Sequence, residues 1–217
     1  MNDDECINII SDSFYGGVIY IDLRGYTKIV NEKPLTNIAK IICSYQNKVK
    51  SIIENNFDLN EISSIEFVGD SVMSIIRKNS FDNYSFGNKL FEVSCKLKDE
   101  IYKLIENKKN EYYGLNDLDF GIGISTSDIL KRTVYENDLD KRNIYFGNSL
   151  NRACKIGDRM NSKKNYIGID KRMYDENNDM YNISVENDNY YIMYNKFFIK
   201  KEKPIVHLIL RDRSEEH

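Results

Sequence analysis

Two aspartates stand where apolar runs stop. Asp22 ends the run in VIYIDLRGYT (18–27), and Asp70 follows Gly69 in EFVGDSVM (66–73). The first run reads as a buried strand over 17–22, with Asp22 at its end. Two short apolar runs flank Gly69-Asp70, within ISSIEFVGDSVMSIIR (62–77), and read as a hairpin. Taken singly, each acid is ordinary turn chemistry. If strand and hairpin are neighbours in one sheet, however, the two carboxylates face each other across a few ångströms. Carboxylates that close repel unless a cation lies between them. Hard oxygen donors suit Mg²⁺ or Mn²⁺, with water and substrate phosphates completing the coordination.

The remaining residue types narrow the chemistry further. Only two histidines occur, His207 and His217, which argues against His-ligated zinc and against Ser–His or Cys–His catalysis. His207 lies between apolar neighbours and reads as a strand residue. Cys6, Cys43, Cys95 and Cys154 are scattered without a C-x-x-C pair and read as reduced, mostly buried residues. Chemistry must therefore come from carboxylates, amides and cations. In GNSLNRACKIGDRM (147–160), a short helix, Asn151 and Lys155 are four residues apart and share a face. The run IKKEK (199–203) either grips phosphate or is a solvated edge that discourages strand pairing.

The elements that must position these groups follow from periodicity. Over 34–56, Ile38, Ile41, Ile42, Tyr45, Val49, Ile52 and Ile53 recur at helical spacing, with Pro34 suited to the first turn. A second helix covers 85–108. LDFGIGIS (118–125) reads as a strand whose glycines allow close backbone approach. YENDLDKRN (135–143) reads as a loop, 165–169 as a strand, and 181–210 as β-rich runs. The order β-α-β-β-α-β defines an α+β, ferredoxin-like fold with extra C-terminal strands. One domain over 1–217, with a core at about 15–210, accounts for the chain.

A net charge of −3, from 31 basic and 34 acidic residues, gives no electrostatic case for nucleic-acid binding. The acidic start MNDDECINII lacks the pattern of a signal peptide, and no apolar run is long enough to cross a bilayer. A cytoplasmic protein without membrane contact is expected.

IDLRGYT (21–27), EFVGDSVM (66–73), LDFGIGIST (118–126) and YFGNSLNRACKI (145–156) occur in the order and approximate spacing of the class III nucleotidyl cyclase catalytic domain. The chain resembles that family over roughly 15–210, and most resembles its free-standing bacterial pyrimidine cyclases of antiphage defence (Pycsar-type). The resemblance implies that Asp22 and Asp70 bind two divalent ions, Mn²⁺ or Mg²⁺. One ion would acidify the ribose 3′-hydroxyl and the other would clamp the triphosphate. The backbone of Leu23 would join this metal and phosphate loop, and Arg24, Gly25, Tyr26 and Thr27 would contact substrate. Asn151 would orient the ribose. Position 155 is an arginine in the family. Lys155 supplies charge without a planar fork, so Arg152 or Arg159 are possible substitutes. Lys200, with Lys201 or Lys203 as alternatives, matches the lysine offered to the triphosphate. Asp119 stands where many relatives carry an arginine, and an acid there cannot hold phosphate.

Base choice falls to Glu66 and Ile144 by the same resemblance. They do not reproduce the Lys and Asp pair of adenylate cyclases, and an unpaired base edge loses discrimination. Glu66 can accept from uracil N3–H, from the cytosine amine, or from guanine N1 and N2. UTP is the favoured substrate, with CTP next and guanylate cyclase as the rival. A catalytically inactive nucleotide-binding module is a further alternative. The resemblance also implies a head-to-tail homodimer with sites at the subunit interface. A cyclic-nucleotide effector protein would receive the product without direct contact.

Overall fold

The computed structural model describes residues 10–32, 34–79, 86–112, 114–137, 140–164, 166–170, 173, 181–187, 190–195 and 205–209. Strand β1 (Ile10–Arg24) is longer than the expected 17–22. Its neighbour β4 (Asp119–Asn137) is longer still and keeps the polar ends of β1 in the ladder. Asp22 therefore lies inside a paired strand rather than after it, opposite Ser71 on one side and Gly121 on the other.

A short helix α1 (Tyr26–Glu32) follows, then α2 (Leu35–Asn56), with Pro34 one residue outside it at the N-cap. Strands β2 (Ile62–Val68) and β3 (Ser71–Arg77) form the hairpin, and α3 (Phe86–Glu111) leads into β4. The stretch 135–143 is not a loop. β4 continues to Asn137 and β5 (Asp140–Phe146) pairs back on it, with Thr133 opposite Asn143 and Val134 opposite Arg142. Its polar composition hid a ladder held by backbone hydrogen bonds. Helix α4 (Asn148–Gly157) and β6 (Ile167–Asp170) come next, then β7 (Tyr181–Asn187), β8 (Tyr190–Asn195) and β9 (Ile205–Ile209).

Among the described residues the sheet order is β2-β3-β1-β4-β6-β9-β8-β7, with β5 attached to β4. The first four strands are antiparallel and, with α2 and α3, make the expected ferredoxin-like core. β6 and β9 extend it in parallel. His207 is a strand residue as expected, paired with Gly168 and Ile192. The lysine run 199–203, including Lys200, lies outside the described residues.

Alternation along β1 sorts the two sheet faces. Ile19, Ile21 and Leu23 point into the main core with Ile38, Ile41, Tyr45, Val49 and Ile53 of α2 and Leu90, Phe91, Leu97 and Ile101 of α3. Each such fully buried side chain contributes about 1.5–3 kcal/mol. The opposite face carries Val18, Tyr20, Asp22 and Arg24. There a smaller cluster of Phe14, Val18, Ile75, Ile129 and Ala153 seats α4. Glycines in β4 permit this seating. A Cβ on Gly123 would stand 2.0 Å from the Ala153 carbonyl oxygen, so the helix backbone rests directly on the strand. Of the cysteines expected to be mostly buried, Cys6 lies outside the described residues, Cys95 is buried, Cys154 is half-buried, and Cys43 is exposed because it lies off the buried stripe of α2.

Candidate active site

Directly opposed residues of antiparallel strands project to the same side. The pairs Val68–Ser71, Glu66–Met73, Ser71–Asp22 and Met73–Tyr20 therefore place Glu66, Ser71, Tyr20 and Asp22 on one face. That face is the one carrying α4.

Asp70 reaches it from the hairpin tip. Gly69 takes φ +61° in the two-residue turn, a conformation that suits glycine. Asp70 immediately precedes the partner of Asp22, and the Leu23 N–H donates to the Asp70 carbonyl at 3.4 Å. Helix α2 braces the arrangement from behind. Gln46 Nε2 donates to the Gly69 carbonyl at 3.0 Å, and the buried Tyr45 hydroxyl donates to the Ile21 carbonyl at 3.1 Å.

Both oxygens of Asp22 are engaged. Ser71 Oγ donates to Oδ1 at 2.6 Å. Because that uses the only serine proton, Tyr20 must be the donor in its 2.9 Å contact with Ser71 Oγ. Burial pushes the Tyr20 phenol up to about 12, so it remains protonated at neutral pH. On the other side, Arg24 Nη1 lies 3.3 Å from Asp22 Oδ2, while its Nη2 donates to the Gly157 carbonyl at 2.7 Å.

Burial raises the Asp70 carboxyl above its ordinary range, and the charge of Asp22 adds to this, opposed by Arg24. Asp158, just past α4, is raised by the same causes, burial first and then Asp22. Three carboxylates thus share one guanidinium. Hard oxygen donors with an excess of negative charge fit a divalent cation. Among the described residues no group of three or more His, Cys, Asp or Glu is gathered tightly enough to hold a metal alone. Substrate oxygens and water would have to complete the shell, the usual habit of Mg²⁺.

The other expected residues distribute as follows. Asn151 and Lys155 are exposed, on the side of α4 opposite its buried Ser149, Ala153, Ile156 and Gly157. They point away from Asp22 of their own chain. Arg152 lies 4.0 Å from the buried Asp170, which also accepts from Ser125 and the Met173 N–H, and Arg159 is exposed. Glu66 is exposed and accepts from Ser64 Oγ. Ile144 is 38% exposed, and its neighbour Tyr145, which alternation turns to the other side of the strand, donates its hydroxyl to the Ser63 carbonyl at 2.7 Å. Strands β2 and β5 thus touch through Ser63 and Tyr145. Asp119 is occupied structurally, accepting from the Ser162 N–H at 2.9 Å and Ser162 Oγ at 2.7 Å. Gly25 adopts φ +78°, and a Cβ there would meet the Asp117 carbonyl at 2.6 Å. Tyr26 and Thr27 begin α1, the former half-buried and the latter exposed.

Tyr20 and Ser71 escaped notice in the sequence, although strand alternation beside Asp22 and Asp70 signals both. Tyr45, Gln46 and Asp158 carry no such signal, since only the packing of α2 and α4 brings them in. A separate cleft of about 330 Å³, lined by Ile29, Ile38, Ile41, Tyr112 and Leu115 among others, lies on the opposite layer, away from the acid pair.

The family described as the adenylate and guanylate cyclase catalytic domain matches residues 15–209. No curated protein matches the sequence. Among solved structures, the adenylyl cyclase CyaB from P. aeruginosa superposes with TM-score 0.68 at 16% identity, covering 96% of this chain and 100% of that one. The guanylyl cyclase Cya2 superposes with TM-score 0.65 at 16% identity, covering 90% and 91%. The guanylate cyclase domain of RhGC from Catenaria anguillulae, solved with GTP, gives TM-score 0.61 at 12% identity, covering 89% and 95%.

Proposed function

The chain belongs to the adenylate and guanylate cyclase catalytic domain family, and on that footing we propose that it converts a pyrimidine nucleoside triphosphate, UTP before CTP, to the 3′,5′-cyclic monophosphate and pyrophosphate. The observation that carries this reading is the meeting of Asp22 and Asp70 on one sheet face, with Glu66 and Asn151 serving the acids of the other subunit. Class III cyclases use divalent metal ions. Asp22, Asp70 and the Leu23 backbone are the donors that would hold two, Mn²⁺ or Mg²⁺. When bound, the ions supply Lewis acidity to the ribose 3′-hydroxyl and the triphosphate.

The chain's own groups do the rest. Ser71 and Tyr20 fix the orientation of Asp22. Arg24, Gly25, Tyr26 and Thr27 form the turn beside the triphosphate, with Lys200 contributing charge. Asn151 orients the ribose, and Lys155 stabilises charge growing on the α-phosphate. Because Asn151 and Lys155 face away from Asp22 of the same chain, they act on the site of a second copy, in a homodimer with two shared sites.

Glu66 is an exposed acceptor steadied by Ser64, and Ile144, the second base-reading position, offers no hydrogen bond. An acceptor facing a donor on the base suits uracil N3–H or the cytosine amine. It also suits guanine, which keeps guanylate cyclase as the second reading. As a pyrimidine cyclase, the protein would signal in antiphage defence through a cyclic-nucleotide effector. The test is incubation with each of the four NTPs and Mn²⁺ or Mg²⁺, with the product identified by mass. Cyclic UMP or cyclic CMP is the expected product. Cyclic GMP would establish the second reading, and no cyclic product from any NTP would leave only a nucleotide-binding module.

A further inference from the structure

We propose that Arg24 is the resident counter-cation of the acid pair: it bridges Asp22 to the end of α4 when no divalent ion is bound and gives up Asp22 when one enters. The inference rests on the reading of Asp22 and Asp70 as metal-binding acids. Its basis is the division of the Asp22 carboxylate between two partners. Oδ1 is taken by Ser71, a neutral donor that can stay when a cation arrives, whereas Oδ2 is taken by the Arg24 guanidinium at 3.3 Å. A guanidinium beside a divalent ion is repelled, so the two cations compete for Oδ2.

Arg24 is also anchored at a second point. Its second nitrogen bonds the Gly157 carbonyl at 2.7 Å, and its side chain is 30% exposed. A cation at the C-terminal end of a helix is favourably placed, which strengthens the resting position. Asp70 and Asp158 feel the same guanidinium. Asp22, Asp70 and Asp158 together carry more acid than one arginine balances, which favours entry of a divalent ion. Gly157 ends the helix that carries Asn151 and Lys155, so Arg24 ties the Asp22 carboxylate to that helix. Arg24 is thus a positioning residue that links metal entry to that helix.

The test measures Mn²⁺ binding to the full chain without nucleotide, by the EPR signal of free Mn²⁺, together with thermal unfolding in EDTA and in saturating Mn²⁺. An ion that binds only the Arg24-released form has its apparent affinity reduced by the population of that form. Arg24→Ala should therefore bind Mn²⁺ about tenfold more tightly than wild type. The same variant should melt lower than wild type in EDTA, with the gap closing in Mn²⁺. Arg24→Lys, which cannot span both contacts, should fall between the two and serves if the alanine variant does not fold. Unchanged or weaker Mn²⁺ binding by the variants, with a melting deficit that persists in Mn²⁺, would overturn the proposal while leaving the metal site intact. Binding of Mn²⁺ by Asp22→Asn as tight as by wild type would instead overturn the metal reading on which it rests.

Discussion

Asp22 and Asp70 are held differently, and the difference is measurable. Asp22 has a neutral donor on one oxygen and an arginine on the other, whereas Asp70 sits at a turn where burial and its acidic neighbour both raise its carboxyl. A raised folded-state value means that the folded protein holds the proton more tightly than the unfolded chain. The penalty is absent below the ordinary value of 3.8 and is complete once the pH has risen past the raised one. Asn tolerates the same turn, so Asp70→Asn should remove the penalty and keep the backbone. Without divalent ions, the variant should melt with wild type near the acid end of this window. At neutral pH it should melt about 1–3 °C higher, a modest gain because the group is partly solvated. Paired melts in EDTA across that range check this, and a variant that loses stability at neutral pH would show Asp70 to be a structural acid.

At the scale of elements, the site depends on how α4 lies on β4. Gly123→Ala would set a Cβ 2.0 Å from the Ala153 carbonyl oxygen and 2.4 Å from the Gly157 nitrogen, both backbone atoms that cannot turn aside. Overpacking of this kind costs about 2–3 kcal/mol, so a fall in Tm of about 5–10 °C is expected. Cyclase activity should fall at least about tenfold, because the helix bearing Asn151 and Lys155 is displaced. Gly69→Ala is the control. It meets nothing within 4 Å and carries only the strain of φ +61°. Equal losses in the two variants would contradict the packing account.

The glycine spacing in LDFGIGIS made this close approach legible in the sequence, as the Gly69-Asp70 turn made the hairpin legible. The β4–β5 ribbon was hidden because its residues are polar and its ladder is built from backbone groups that composition does not report. Asp158 and the Arg24–Gly157 contact were hidden because they depend on where α4 lands on the sheet, a long-range outcome with no local signature.

At the scale of the whole molecule, the described chain has its acids on one sheet face and its Asn151 and Lys155 turned outward. On the proposed reading the catalytic unit is two copies, each lending acids to one site and an amide to the other. The most direct measurement is subunit complementation. Asp70→Ala and Asn151→Ala proteins, each inactive alone, are dissociated, mixed in equal amounts and reassembled with NTP and Mn²⁺. In a mixed dimer one site carries both lesions and the other carries none. With random pairing half of the dimers are mixed, so activity should return to about a quarter of wild type, with cyclic nucleotide confirmed by mass. Mixed dimers shown to be present and yet silent would contradict the account.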